Sequence, residues 1–156
     1  MAEQIKKRGT VVLGMGNPIL SDDGVGIRIA QKIKERNPGL EVIETSEAGI
    51  ALLEYVVGCD KLIIIDSIKT GEGKPGELFK LDLEELGETQ HFASLHGVNL
   101  NTALELGRRM GFKVPECISI YAVEVKNNST FAEGCTEEIE AKVPLIAEQI
   151  IKEEKL

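Results

Sequence analysis

The sequence predicts one α/β domain of three layers, with helices on both faces of a mainly parallel sheet of five or six strands and room for one antiparallel strand. Two observations predict it. Short β-branched runs alternate with segments whose apolar residues recur at helical spacing, giving β-α-β-α-β up to Asp66. The run Lys61-Leu-Ile-Ile-Ile-Asp66 is apolar without alternation, which is how a strand buried on both faces reads. A chain of 156 residues then supplies a single core, spanning 1–156 without a linker or an internal repeat.

Each element follows in order. Thr10 to Met15 is a β-branched strand closed by glycine, and from Gly24 the period changes. Val25, Ile29 and Ile33, with Gly26 and Ala30 beside them, mark one helix face that ends near Asn37-Pro38-Gly39. Leu40 to Glu44 is a second strand, Gly49 to Val57 a second helix, and Lys61 to Asp66 the central strand. Glycine-rich Lys69 to Gly76 leads into Glu77 to Leu81, an edge strand that fits either direction. Val98 to Met110 is a helix with Leu100, Ala103, Leu104 and Gly107 inward, and Cys117 to Val123 is a core strand. The last helix starts near Thr136, with Glu137 and Glu138 where the helix dipole favours carboxylates. Pro144 interrupts its stripe, so a kink or break is expected there, with Pro144 opening the second piece.

Composition narrows the function. Eighteen Lys and Arg against 26 Asp and Glu leave a formal charge of -8, without the electrostatic footprint of a nucleic-acid partner. No apolar run approaches the about 18 residues of a membrane span, and the start of the chain has no secretory apolar region, so a cytoplasmic protein without membrane insertion is expected. Cys59, Cys117 and Cys135 are widely spaced and odd in number, which reads as buried small residues or inert thiols, with neither a disulfide framework nor a zinc site.

Ligands of open parallel sheets gather at the carboxyl ends of the strands. The segment after the first strand, Gly14 to Gly26, fails as a dinucleotide fingerprint because Ile19 stands where a glycine is needed, and it has no Walker lysine. It does offer Ser21, Asp22 and Asp23 before a helix start, readable as a cap or as ligands. Asp66 ends the most apolar strand and reads as a functional carboxylate or as a turn former. His96 stands at the entrance of a later helix, readable as a ligand or as a structural hydrogen-bonder. Asp23, Asp66 and His96 together are a mixed oxygen and nitrogen set that suits a divalent transition metal through an incomplete shell, open to water or to a partner's donors. Glu124 reads as a surface residue at a strand end that could also reach the cleft.

Val12-Leu-Gly-Met-Gly-Asn-Pro18, Ser21-Asp-Asp-Gly-Val-Gly26, Leu62-Ile-Ile-Ile-Asp66, Pro75-Gly-Glu77, Ser94-Leu-His96 and a closing helix with an internal proline follow one another over nearly the whole chain. In this order and spacing the sequence resembles the hydrogenase maturation endopeptidases, which process the large subunit of nickel-iron hydrogenases. The resemblance implies a cytoplasmic, monomeric peptidase that removes a C-terminal extension from the large-subunit precursor once nickel is inserted. It carries the family's metal-contacting and catalytic positions onto Asp23, Asp66 and His96. The nickel belongs to the substrate, and the attacking group is most simply a water activated near it; with both acids as ligands the general base is unassigned, and an aspartic-type or a metallo-type hydrolysis both stay open.

One departure stands out. Many relatives have a glycine pair and then Thr or Ser after the second strand, where this chain has Thr45-Ser46-Glu47. Two other readings compete: a phosphoacceptor receiver-like signalling domain using Asp22-Asp23, Asp66 and Lys126, and a nickel carrier without hydrolytic activity.

Overall fold

Strand β3, Cys59–Ile68, lies in the middle of the sheet, and its alternation builds both cores. Leu62, Ile64 and Ile68 leave one face and Ile63 and Ile65 the other, as successive strand residues must. The structure is a computed structural model that describes residues 8–84 and 100–156. Before β3 come β1 (Arg8–Met15), α1 (Val25–Arg36), β2 (Glu41–Thr45) and the short helix α2 (Leu53–Val56). After it come β4 (Leu78–Leu81), α3 (Leu100–Arg109), β5 (Cys117–Glu124) and α4 (Glu137–Glu154).

Among the described residues five strands run in the order β2-β1-β3-β5-β4. Four are mutually parallel, as expected of a mainly parallel sheet, and β4, whose direction the sequence left open, is antiparallel to β5. Since β1 pairs with β2 on one side and β3 on the other, the chain reverses direction across the sheet there. That reversal opens a crevice beyond the carboxyl ends of β1 and β3.

Helices fill both faces because their apolar stripes match it. Val25, Ile29, Ala30 and Ile33 of α1 join Ile139, Val143, Ile146, Ala147 and Ile150 of α4 over Val12, Ile63, Ile65 and Val123. On the opposite face Leu52, Leu53 and Val56 meet Leu100, Ala103 and Leu104 of α3 over Val11, Leu13, Leu62 and Ile64. The segment expected as one helix from Gly49 to Val57 is a 3-10 turn, Gly49–Leu52, followed by a single α-turn. Val57 is already extended and Gly58 takes a positive φ, so the helix cannot lengthen.

Three expectations are corrected. Helix α4 runs as one element through Pro144, so Pro144 does not open a second piece; the buried stripe on both sides of it holds the turns together despite the missing amide donor. Glu124 is buried, where a surface residue was expected. Cys117 is exposed, whereas Cys59 is buried and Cys135 half-buried, and all three are free thiols. Among the described residues no helix is long and apolar enough to cross a membrane.

One polar cluster locks α4 to the sheet. Glu154, buried in the last turn of α4, accepts from the Tyr121 hydroxyl at 2.7 Å and pairs with Lys61 at 2.6 Å and Lys80 at 3.5 Å. Burial alone would push the Glu154 carboxyl up, but hydrogen bonds from Lys61, Tyr121 and Ser119 and the Lys61 charge outweigh it and hold it at about 2. Burial and the Glu154 bond raise the Tyr121 hydroxyl, which therefore stays a donor. The ammonium of Lys80 also lies over the Tyr121 ring, 5.6 Å from its centroid.

A carboxyl depressed in the folded state stabilises it above the unfolded pKa and loses that contribution as pH falls through the folded value. Moving Glu154 from the ordinary carboxylate value to about 2 corresponds to ~3 kcal/mol at neutral pH. Urea unfolding of Glu154→Gln should show a loss of that order at pH 7, and the gap to wild type should narrow between about pH 4.5 and 2. A gap independent of pH would assign the effect to packing.

Candidate active site

The crevice is floored by a close approach of α1 to the sheet. A Cβ on Gly26 would lie 2.3 Å from the Ile65 carbonyl oxygen and 2.6 Å from that of Met15, so only glycine permits the first turn of α1 to sit over β1 and β3. Just before it, the 3-10 turn Ser21–Gly24 is wholly buried. Ser21 holds a φ of 51°, a left-handed conformation that costs a non-glycine residue on the order of 1–3 kcal/mol. Backbone hydrogen bonds to the segment after β5 compensate: Ser21 donates to Ala132, Asp22 to Asn127, and Ala132 returns a bond to Ile19, each at 3.0 Å.

The neighbouring acids of this turn part company. The Asp22 carboxylate accepts from the Thr136 amide at 2.7 Å and from its hydroxyl at 3.1 Å, fastening the turn to the N-terminus of α4 where the helix dipole favours negative charge. Neither the 3-10 turn nor α1 has a side-chain cap, so the capping expected of Ser21, Asp22 or Asp23 does not form, and Asp22 instead holds Thr136, the residue just before α4. Asp23 faces the crevice side of the turn. Its Oδ2 accepts from the Asn17 amide at 2.8 Å and its Oδ1 from the Ser67 hydroxyl at 3.1 Å.

Asp66 is buried within β3, two residues before its end, and β1 has stopped pairing by then, the last matched pair being Gly14 and Ile65. The Asp66 Oδ1 accepts from the Ser67 amide at 2.7 Å. One residue therefore meets both acids: Ser67 gives its N–H to Asp66 and its O–H to Asp23. His96 lies outside the described residues, as do Ser94 and Leu95. Among the described residues no group of three or more His, Cys, Asp and Glu side chains is arranged to hold a metal ion.

Glu124, at the end of β5, organises the loop that follows β3. Its carboxylate accepts from the Thr70 amide at 2.8 Å, from the Gly73 amide at 3.0 Å and from the Thr70 hydroxyl. The Pro75-Gly-Glu77 motif is a turn into the antiparallel β4: Gly76 has a φ of 88° and donates to the Glu124 carbonyl at 2.7 Å. The departing Thr45-Ser46-Glu47 segment makes a local turn in which buried Thr45 accepts from the Glu47 amide at 3.0 Å, leaving Ser46 and Glu47 exposed. Sequence reasoning missed Ser67 and the Asp22–Thr136 fastening. The alternation of β3 was a usable signal for Ser67, since it puts that residue on the α1 face with Ile63 and Ile65.

An α/β protein with carboxylates buried at its topological switch point has the architecture of an enzyme built on loop ends. The model of the hydrogenase maturation protease family matches residues 4–153, and the chain belongs to that family of endopeptidases. The hydrogenase 2 maturation protease of Escherichia coli is 28% identical over 145 residues, covering 90% of this chain and 87% of its own. The solved structure of the hydrogenase maturating endopeptidase HybD from Escherichia coli superposes with a TM-score of 0.73 at 26% identity, covering 94% of this chain and 91% of that one. A [NiFe] hydrogenase maturation protease HybD from Thermococcus kodakarensis shares the fold with a TM-score of 0.70 at 23% identity, covering 92% and 97%. A receiver-like domain is set aside by this membership, and also by Asp22, whose engagement with Thr136 removes it from the acid pair that reading requires.

Removing the Asp22 carboxylate should release the turn from α4. Asp22→Ala is expected to lose about 1.5–3 kcal/mol, as for a hydrogen bond to a charged group, and Asp22→Asn less because an acceptor oxygen remains. Chemical denaturation of both variants checks this, and an unchanged Asp22→Ala would remove the fastening role.

Proposed function

We propose that the protein removes the C-terminal extension of a nickel-iron hydrogenase large-subunit precursor after nickel insertion, and that it recognises the substrate-borne nickel through Asp23, Asp66 and His96. The observation that carries the reading is the arrangement of two buried carboxylates, one in the turn after β1 and one near the carboxyl end of β3, both bonded to Ser67, in a member of the maturation protease family. Carboxylates and one imidazole suit a borderline divalent ion, and thiolates on the partner would complete a shell that three ligands leave open. The nickel is substrate in this scheme, so a peptidase that holds it weakly alone discriminates a loaded precursor from an empty one. A water polarised near the bound metal is the nucleophile. The protein works in the cytoplasm and as a monomer.

Two expected outcomes follow. The mass of a nickel-loaded precursor should fall on incubation with the protein, while a nickel-free precursor stays intact in the presence of a chelator too weak to strip inserted metal. Equal cleavage of both rejects nickel recognition but not the peptidase; metal transfer without shortening of the partner would instead mark a nickel carrier. Asp23→Asn, Asp66→Asn and His96→Ala should each slow cleavage by more than the roughly 10- to 100-fold that loss of a partner behind a metal ligand costs. Normal cleavage by any one of them removes that residue from the site.

A further inference from the structure

We propose that Ser67 is a positioning residue for the acid pair, its hydroxyl orienting Asp23 against Asp66 for contact with the metal-bearing substrate. The inference rests on the function proposed above and deepens it. Ser67 is buried at 3% exposure, and its side chain leaves β3 on the face of α1, where the Ser21–Gly24 turn presents Asp23. Its amide reaches Asp66 at 2.7 Å and its hydroxyl reaches Asp23 at 3.1 Å.

A hydroxyl can donate one proton, and here it is directed to Asp23 Oδ1 while the Asn17 amide takes Oδ2 at 2.8 Å. Two donors on different oxygens fix the plane of a carboxylate, which one donor cannot do. The Asp66 bond comes from the main chain of the same residue, so the two acids share one rigid reference in the central strand. Hydrogen-bond partners behind a metal ligand set its orientation, and losing one costs about 10- to 100-fold in metal affinity or activity.

Ser67→Ala separates the two bonds, because it removes the hydroxyl and keeps the amide. Affinity for nickel-loaded and for nickel-free large-subunit precursor, each measured with the full-length protein, is the readout. Ser67→Ala should weaken binding of the nickel-loaded precursor by about 10-fold or more and leave the nickel-free precursor unaffected, and Ser67→Thr, which retains a hydroxyl, should restore most of the loss. Wild-type affinity of Ser67→Ala for the loaded precursor, an equal loss for both precursors, or no recovery with Ser67→Thr would each overturn the assignment. If Ser67→Ala loses its fold, Ser67→Thr against Ser67→Cys gives the same contrast, a hydroxyl kept against a hydroxyl exchanged for a weak donor. Wild-type protein that binds both precursors alike overturns the nickel reading itself, and that result is obtained before any variant is made.

Discussion

The approach of α1 to within glycine distance of β1 and β3 is the constraint on which the site depends. Gly14 and Gly26 face each other there, a Cβ on Gly14 falling 2.6 Å from that of Ala30 and 2.8 Å from the Gly26 carbonyl oxygen. With side chains at these positions the helix would stand off the sheet, and the turn that precedes it would be lifted from the end of β3. Asp23 would then no longer reach Ser67 across 44 residues of chain. The core that α1 shares with α4 on its face of the sheet keeps α1 seated, so the energy that fixes a polar contact of a few ångströms comes from apolar packing far larger than the contact itself.

Much of this architecture is written locally in the chain. The stripe Val25, Ile29, Ala30 and Ile33 and the run Leu62 to Ile65 declare a helix and a doubly buried strand because period and burial are properties of neighbouring residues. The strand order is not declared anywhere, since it depends on which segments meet after the chain has crossed the sheet. The site is legible to the same degree. That acids stand after β1 and in β3 follows from the sequence; which acid of the pair faces the crevice does not. In a 3-10 turn successive side chains diverge by roughly 120°, so Asp22 and Asp23 point to different neighbours although they adjoin in sequence. Thr136, 114 residues away, is what claims Asp22.

Glu124 illustrates the same limit from the other side. Two residues beyond Ala122 it has the sequence context of a strand end at the surface, yet the loop from Thr70 to Gly73 folds back over it and directs amides onto its carboxylate. Covering a carboxylate without partners would cost several kcal/mol, so the loop and the acid are each the reason the other is ordered. A fold can therefore bury acids for two purposes, and burial by itself does not distinguish a structural carboxylate from one that meets substrate.

The donors that meet these acids differ in charge. Glu154 is met by the ammonium groups of Lys61 and Lys80, whose charge neutralises its own, and such a carboxylate has little left to offer a cation. The Asn17 and Ser67 groups that donate to Asp23 and Asp66 are themselves neutral, and they orient the oxygens without adding a charge of their own. Orientation by neutral groups keeps a carboxylate preorganised for a positive partner that arrives later, and the reorganisation then required on binding is small. Under the proposed function, in which the metal arrives with the substrate, the central strand would supply that geometry in advance.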